Sequence, residues 1–366
     1  MADLKDLYSP DFIQQLGIAL QQQLPSFDTH RLLADCLTAD WPDLKLMERR
    51  DRITVALHQQ LPADFTRAAP LLRAIGPEFT GLVAVCLPNY VATYGLDHWQ
   101  TSMDLLAWLT RFSSAEFAIR PFLVRYPEAT AQQMLTWSTA ENVDVRRLAS
   151  EGIRPRLPWG LRLTQYVADP TPIFAILNNL ITDESDYVQK SVANNLNDIS
   201  KDHPDQVLAF AQANWDRTSQ TNWMLTRGLR TLFKQGNSLA LQLQGYDPAA
   251  AERLDHVQLS PATQDVTLGD TSHLHYALRS TSDDDQPLYL GYRVHYVRQN
   301  KTDAYKDFFL KRATVAPGEG LTGEFKITWR QLTTRRLYAG QHPVELLVNT
   351  RPVAQATILL AIPDPA

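Results

Sequence analysis

Cysteine is scarce: two in 366 residues, Cys36 and Cys86, both in apolar surroundings. One pair over so long a chain excludes a disulfide-built scaffold. It reads as two buried thiols in a reducing compartment, so a cytoplasmic location is expected. There is no uninterrupted apolar run of about 18 residues, so no membrane-spanning helix is expected. The opening residues, Met1-Ala-Asp-Leu-Lys-Asp6, carry neither a basic region nor an apolar stretch, so no signal peptide is expected. H-E-x-x-H, zinc-spaced Cys/His clusters, a P-loop, G-x-G-x-x-G and G-x-S-x-G are also missing. Neither a metal nor a nucleotide cofactor is therefore expected, and cofactor-free hydrolysis is the simplest enzymatic option.

What is present is the composition of a folded protein, 44% hydrophobic, 20% charged and 9% aromatic. The length allows two domains and a core that needs no staple. A net charge of −5 argues against a polyanionic partner, but a local basic groove can bind phosphate on an acidic protein, so the distribution decides.

The first two-thirds read at helical period. In 28–39 the apolar residues Leu32, Leu33, Cys36 and Leu37 recur on one face, and 43–61 and 97–112 continue the register. Ser9-Pro10, Asp97, Ser114 and Thr171-Pro172 are expected helix starts; Leu61-Pro62, Gly76-Pro77, Leu87-Pro88, Tyr126-Pro127 and His203-Pro204 are expected breaks. The segment from Asp144 through Glu151 to Ile153 resembles that from Tyr187 to Leu196. Aligning Val145 with Val188 gives a 43-residue spacing, in the range of HEAT or armadillo repeats. The expected fold is mainly α, an α-α superhelix of HEAT-like repeats over 1–250. Trp137 and Trp223 lie in apolar helical patterns and are expected in the core.

Near residue 250 the period changes to alternation. Runs at 273–278, 289–297, 308–310, 323–329, 344–348 and 353–360, with polar or Gly/Pro-rich breaks, suggest roughly seven short strands. A small all-β immunoglobulin-like sandwich is expected over 256–366, without the Cys…Trp…Cys signature of antibody domains.

Between 111 and 163 there are eight arginines, five acids and no lysine. Arg120, Arg147, Arg154 and Arg156 belong to this cluster. Planar, bidentate hydrogen bonding makes such arginines candidates for nucleic-acid phosphate, against the alternative of a solvated face. Glu116 and Glu151 each stand shortly before an Ile-Arg-Pro. Asp198 falls one helical turn after Asn194, the repeat counterpart of Glu151. Carboxylates aimed at a polyanion need a reason. Capping or salt bridging to the arginines is one, and stabilising a developing positive charge is the other. Trp159, ending Arg154-Pro-Arg-Leu-Pro-Trp159, either packs in the core or lies against a nucleotide or sugar.

The stretches Ser114-Ala-Glu-Phe-Ala-Ile-Arg-Pro-Phe122 and Val145-Arg-Arg-Leu-Ala-Ser-Glu-Gly-Ile-Arg-Pro-Arg-Leu-Pro-Trp159 resemble the HEAT-like-repeat alkylpurine DNA glycosylases of the AlkC branch. Some of these carry a C-terminal immunoglobulin-like domain. The resemblance implies a DNA repair enzyme removing cationic alkylated bases, chiefly 3-methyladenine, from double-stranded DNA without flipping the base. It implies Glu116, Glu151 and Asp198 as catalytic acids, and Arg147 and Arg154 as DNA contacts. Arg120, Arg156 and Trp159 are expected at the same DNA face. No cofactor is implied, and a monomer is expected. The alternatives are a non-catalytic HEAT scaffold binding branched or damaged DNA, and a protein–protein adaptor.

Overall fold

The computed structural model describes residues 3–298, 304–332 and 336–363. The chain divides between Gly228 and Leu229 into two compact units. The first is helical. It opens with α1 (Pro10–Gln23), α2 (Thr29–Cys36), α3 (Leu46–His58), α4 (Phe65–Ile75), α5 (Cys86–Tyr94) and α6 (Trp99–Leu109). It continues with α7 (Arg120–Arg125), α8 (Pro127–Trp137), α9 (Val143–Glu151), α10 (Thr164–Ala168) and α11 (Thr171–Leu180). The last three are α12 (Asp186–Ile199), α13 (Pro204–Asn214) and α14 (Ser219–Gly228). Among the described residues no helix is long and apolar enough to cross a membrane.

Local chemistry explains most helix ends. The Ser9 hydroxyl accepts from the Phe12 N–H and Asp28 from the His30 and Arg31 N–H groups, while prolines occupy the first turns of α1, α8, α11 and α13. Two expectations are corrected. Leu87-Pro88 is not a break, because Pro88 lies in the first turn of α5, where its missing N–H has no partner to lose. Ser114 does not start a helix: 114–119 is a turn, and α7 begins at Arg120. The two Ile-Arg-Pro motifs therefore differ in setting, one opening a helix and the other following the end of α9.

The helices pack against one another in successive pairs. α9 lies against α12 and α12 against α14, while α8 lies against α11; earlier, α3 lies on α5 and α4 on α6. In α12 the stripe Val188, Val192, Leu196 and Ile199 is buried at helical spacing. Cys36 and Cys86 are free and buried. Trp137 is buried as expected, but Trp223 is not a core residue. It is 41% exposed and lies under the Arg227 guanidinium.

The second unit begins with α15 (Arg230–Lys234) and α16 (Ser238–Leu243). Phe233, Leu241 and Tyr246 pack with Tyr289, which ties these helices to the β-structure although their sequence reads as helical up to about 250. The strands are β1 (Leu254–Pro261), β2 (Asp265–Thr267), β3 (Thr271–Ser280), β4 (Gln286–His295), β5 (Tyr305–Val315), β6 (Gly320–Thr328), β7 (Gly340–Val348) and β8 (Arg351–Ala361). They form two sheets, ordered β1-β3-β6 and β2-β8-β7-β4-β5, antiparallel except where β2 runs parallel to β8. Strict alternation in β3 buries Ser272, Leu274, Tyr276, Leu278 and Ser280. Tyr292 stacks on Phe325 at 4.3 Å across the sandwich, and the fully buried Trp329 donates to the Ser272 hydroxyl at 2.8 Å. Each of the six expected strand runs falls on a strand, with 289–297 and 323–329 running past the ends of β4 and β6. β1 and β2 were not anticipated, since β1 is interrupted by a register shift and a left-handed His256, and β2 has three residues.

Candidate active site and nucleic-acid face

The site is built at the end of α9 and along α12. The Asn142 side chain accepts from the Asp144 and Val145 N–H groups and so starts α9, which puts Arg147 and Glu151 one turn apart on a single face. Arg146 pairs with Asp183 at 2.6 Å, anchoring α9 to the segment that enters α12. Farther along, the Asn195 amide donates to the Ser150 carbonyl at 2.8 Å. These ties hold the acid-bearing ends of the two helices in register.

The structure brings Glu116, Glu151 and Asp198 into one network braced by arginine. Arg147 pairs with Glu116 and reaches Glu151 at 3.7 Å. Arg154 lies between the other two acids, 2.5 Å from Glu151 and 2.8 Å from Asp198. Ser114 donates to Glu116 at 2.8 Å, Ser191 to Glu151 at 2.6 Å, and Lys201 pairs with Asp198 at 3.1 Å. Glu151, Arg154 and Asp198 are buried, whereas Glu116 and Arg147 are partly exposed at the opening. Charges this far from water must be paired, and here each has at least two polar partners. Burial lowers Arg154, but Glu151 and Asp198 together outweigh it, so its guanidinium is held above its usual pKa. It is a fixed cation.

Arg154, expected at DNA, is paired with the two carboxylates. A correction concerns Arg120. Expected at the DNA face, it is 0% exposed, its Nε donating to the Leu161 carbonyl at 2.5 Å and its Nη1 to the Gly152 carbonyl at 2.8 Å. It cannot touch a phosphate from there. Arg156 is partly exposed and bidentate to Asp202 at 2.9 and 2.6 Å, which holds the Asp202 carboxyl below its ordinary range. Trp159 is not core: its backbone is left-handed at φ 63 and its ring is 69% exposed. For a bulky residue that conformation costs on the order of 1–3 kcal/mol and is found where function requires it. The ring borders a largely apolar cavity of about 360 Å³ with Leu4, Lys45, Leu46, Met47 and Glu48.

Ser191, Lys201 and Tyr187 were missed. Tyr187 lies under the Arg147 guanidinium at 4.9 Å. A signal existed, because 187, 191, 194, 198 and 201 follow the alternating four- and three-residue spacing of one helix face. Among the described residues no group of three His, Cys, Asp or Glu side chains is arranged to hold a metal. His273 and His275 instead face Glu324 across the strand pair, His273 at 2.6 Å.

The helical unit gathers three carboxylates between arginines and is accompanied by a β-sandwich, a combination that matches DNA alkylation repair proteins. Residues 94–232 match the family described as DNA alkylation repair enzyme, and 255–362 match the C-terminal Ig-like domain of the YhaZ family. The uncharacterized protein YhaZ of Bacillus subtilis (strain 168) is 38% identical over 349 residues, 95% of this chain and 97% of that one. The structure of Pseudomonas fluorescens alkylpurine DNA glycosylase AlkC, bound to DNA containing an abasic site analog, aligns with a TM-score of 0.92. The identity is 38%, over 98% of this chain and 100% of that one. The chain belongs to the AlkC family of alkylpurine DNA glycosylases.

Proposed function

We propose that this protein hydrolyses the N-glycosidic bond of cationic alkylated purines, chiefly 3-methyladenine, in double-stranded DNA, acting as a cytoplasmic monomer without flipping the base. The observation that carries the reading is the set of three carboxylates, the buried Glu151 and Asp198 and the partly exposed Glu116, held by Arg147 and Arg154. An N3-alkylated purine already carries positive charge and leaves readily. As the bond lengthens, positive charge moves onto the deoxyribose as an oxocarbenium-like state. Fixed anions in a water-poor site favour that state over the ground state, and one of them positions or deprotonates the attacking water. A neutral purine would need protonation of the leaving group, which limits the enzyme to destabilised lesions.

The guanidiniums keep three acids together that would otherwise repel one another and the approaching phosphates. Arg147, partly exposed, is the one suited to exchange a carboxylate for a backbone phosphate, with Arg156 as a second partly exposed guanidinium and Trp159 laid against a sugar or base. Reaching the sugar from the backbone side requires bent DNA, for which arginine–phosphate contacts supply the stabilisation. The successive packing of α9 on α12 and α12 on α14 favours the HEAT-like reading of 1–250, with 256–366 as the sandwich module. The deciding experiment incubates the protein with dimethyl-sulfate-treated duplex and identifies released bases by mass. We expect 3-methyladenine, and none from a Glu151→Gln, Asp198→Asn variant. A protein that bound the duplex and released nothing would be the non-catalytic scaffold instead.

A further inference from the structure

The loop between α9 and α10 carries Arg154, Arg156 and Trp159; its Ile153, Pro155 and Leu157 are buried, but the tip at Pro158 and Trp159 is not. Trp159 is left-handed and exposed, so neither backbone preference nor burial of the ring holds it in place. Arg120 supplies what the loop lacks. Its wholly buried guanidinium binds Gly152 O at the start of the loop and Leu161 O near its end, gathering two carbonyls nine residues apart onto one planar fork. The loop closes tightly over it. A Cβ at Gly160 would stand 3.2 Å from Arg120 Nε and 3.1 Å from Leu157 Cδ2. Arg120 Nη2 is buried with no partner, so the group is retained despite an unmet hydrogen bond. Burial first, and then the Arg154 charge, push Arg120 down to about 10, which still leaves it cationic at neutral pH. Lysine, a single point donor, cannot reproduce a two-carbonyl clasp.

We propose that Arg120 is a positioning residue for the glycosylase reaction, clasping both ends of the 152–161 loop and thereby presenting the Trp159 ring to DNA. The inference rests on Trp159 contacting DNA, as proposed above. The test labels the full chain with 5-fluorotryptophan, which gives one ¹⁹F signal for each of its eight tryptophans. Loss of a signal in Trp159→Phe assigns it. Arg120→Lys should shift or broaden the Trp159 signal alone, and Gly160→Ala, which crowds the guanidinium without removing its charge, should do the same. Single-turnover release of 3-methyladenine should fall on the order of 10-fold in Arg120→Lys. It should fall no further when Arg120→Lys is added to Trp159→Ala. An unmoved Trp159 signal in both variants overturns the clasp, and movement of all eight signals reduces Arg120 to general support of the fold. If the fluorine shift appears but Trp159→Ala excises at the wild-type rate, the DNA reading of Trp159 fails, and the positioning role with it.

Discussion

At the residue scale the decisive group is Arg154, whose single guanidinium holds Glu151 and Asp198 together in a buried setting. Asp198→Asn keeps the shape and removes one anion from the place where positive charge develops. Excision should drop on the order of 10²–10³-fold, with DNA affinity equal or higher, as measured by single-turnover release and by binding at fixed salt. Glu151→Gln, which keeps an acceptor for Ser191, should behave alike. Wild-type excision by both variants would refute the catalytic assignment. A pH effect belongs to the neighbouring pair. Arg156 holds the Asp202 carboxyl below its ordinary range in the folded chain. That pair therefore contributes stability above the unfolded value of about 3.9 and loses it as pH falls from there through the folded pKa. The gap in melting temperature between wild type and Asp202→Asn should hold above about pH 4 and close as pH falls from about 3.9 through the folded pKa; a gap that stays constant throughout would show that the pair does not titrate this way. Glu151 and Asp198 were legible as neighbours because the pattern of 144–153 is repeated in 187–196, whereas Glu116 was marked only by the tripeptide it precedes. Arg120 was misread, since composition does not distinguish an arginine bound to carbonyls from one bound to phosphate.

At the element scale the same contrast runs through the helices. Caps are written locally, so Ser9 and Pro172 mark starts that the structure keeps. Tertiary context is not written locally, which is why Glu116 lies in a turn while Glu151 ends a helix, although each stands shortly before the same tripeptide. The short strand β2 escaped for a related reason: three residues cannot display a period, and its pairing with β8 is fixed from far along the chain. The α12–α14 contact gives the element-level prediction. A Cβ at Gly228 would stand 2.9 Å from the Leu196 Cβ, a rigid neighbour in the buried stripe of α12. Gly228→Ala should therefore destabilise by about 1–3 kcal/mol through overpacking, even though alanine is the better helix former. Urea unfolding measures it, and a stabilised variant would mean the helices separate without cost.

At the scale of the whole molecule, the chain has a helical core and a sandwich core, while all three candidate acids belong to the helical unit. Damage to the sandwich core should therefore spare the chemistry and, with the sandwich read as a clamp that helps hold the duplex, act on binding. Trp329 offers a clean lesion because it is fully buried and its indole N–H is used by Ser272. Trp329→Ala leaves a cavity and an orphaned hydroxyl, a loss on the order of 3–5 kcal/mol. In calorimetry the transition of the second unit should move down by many degrees, with a smaller effect on that of the first. Release of 3-methyladenine at saturating duplex should stay within about threefold of wild type, while the duplex concentration needed for half-saturation rises. Both quantities come from one titration of single-turnover rates, measured below the lowered transition so that the sandwich is weakened rather than unfolded. A fall in the saturated rate with unchanged half-saturation would place part of the chemistry in the sandwich, and the three acids would no longer account for it.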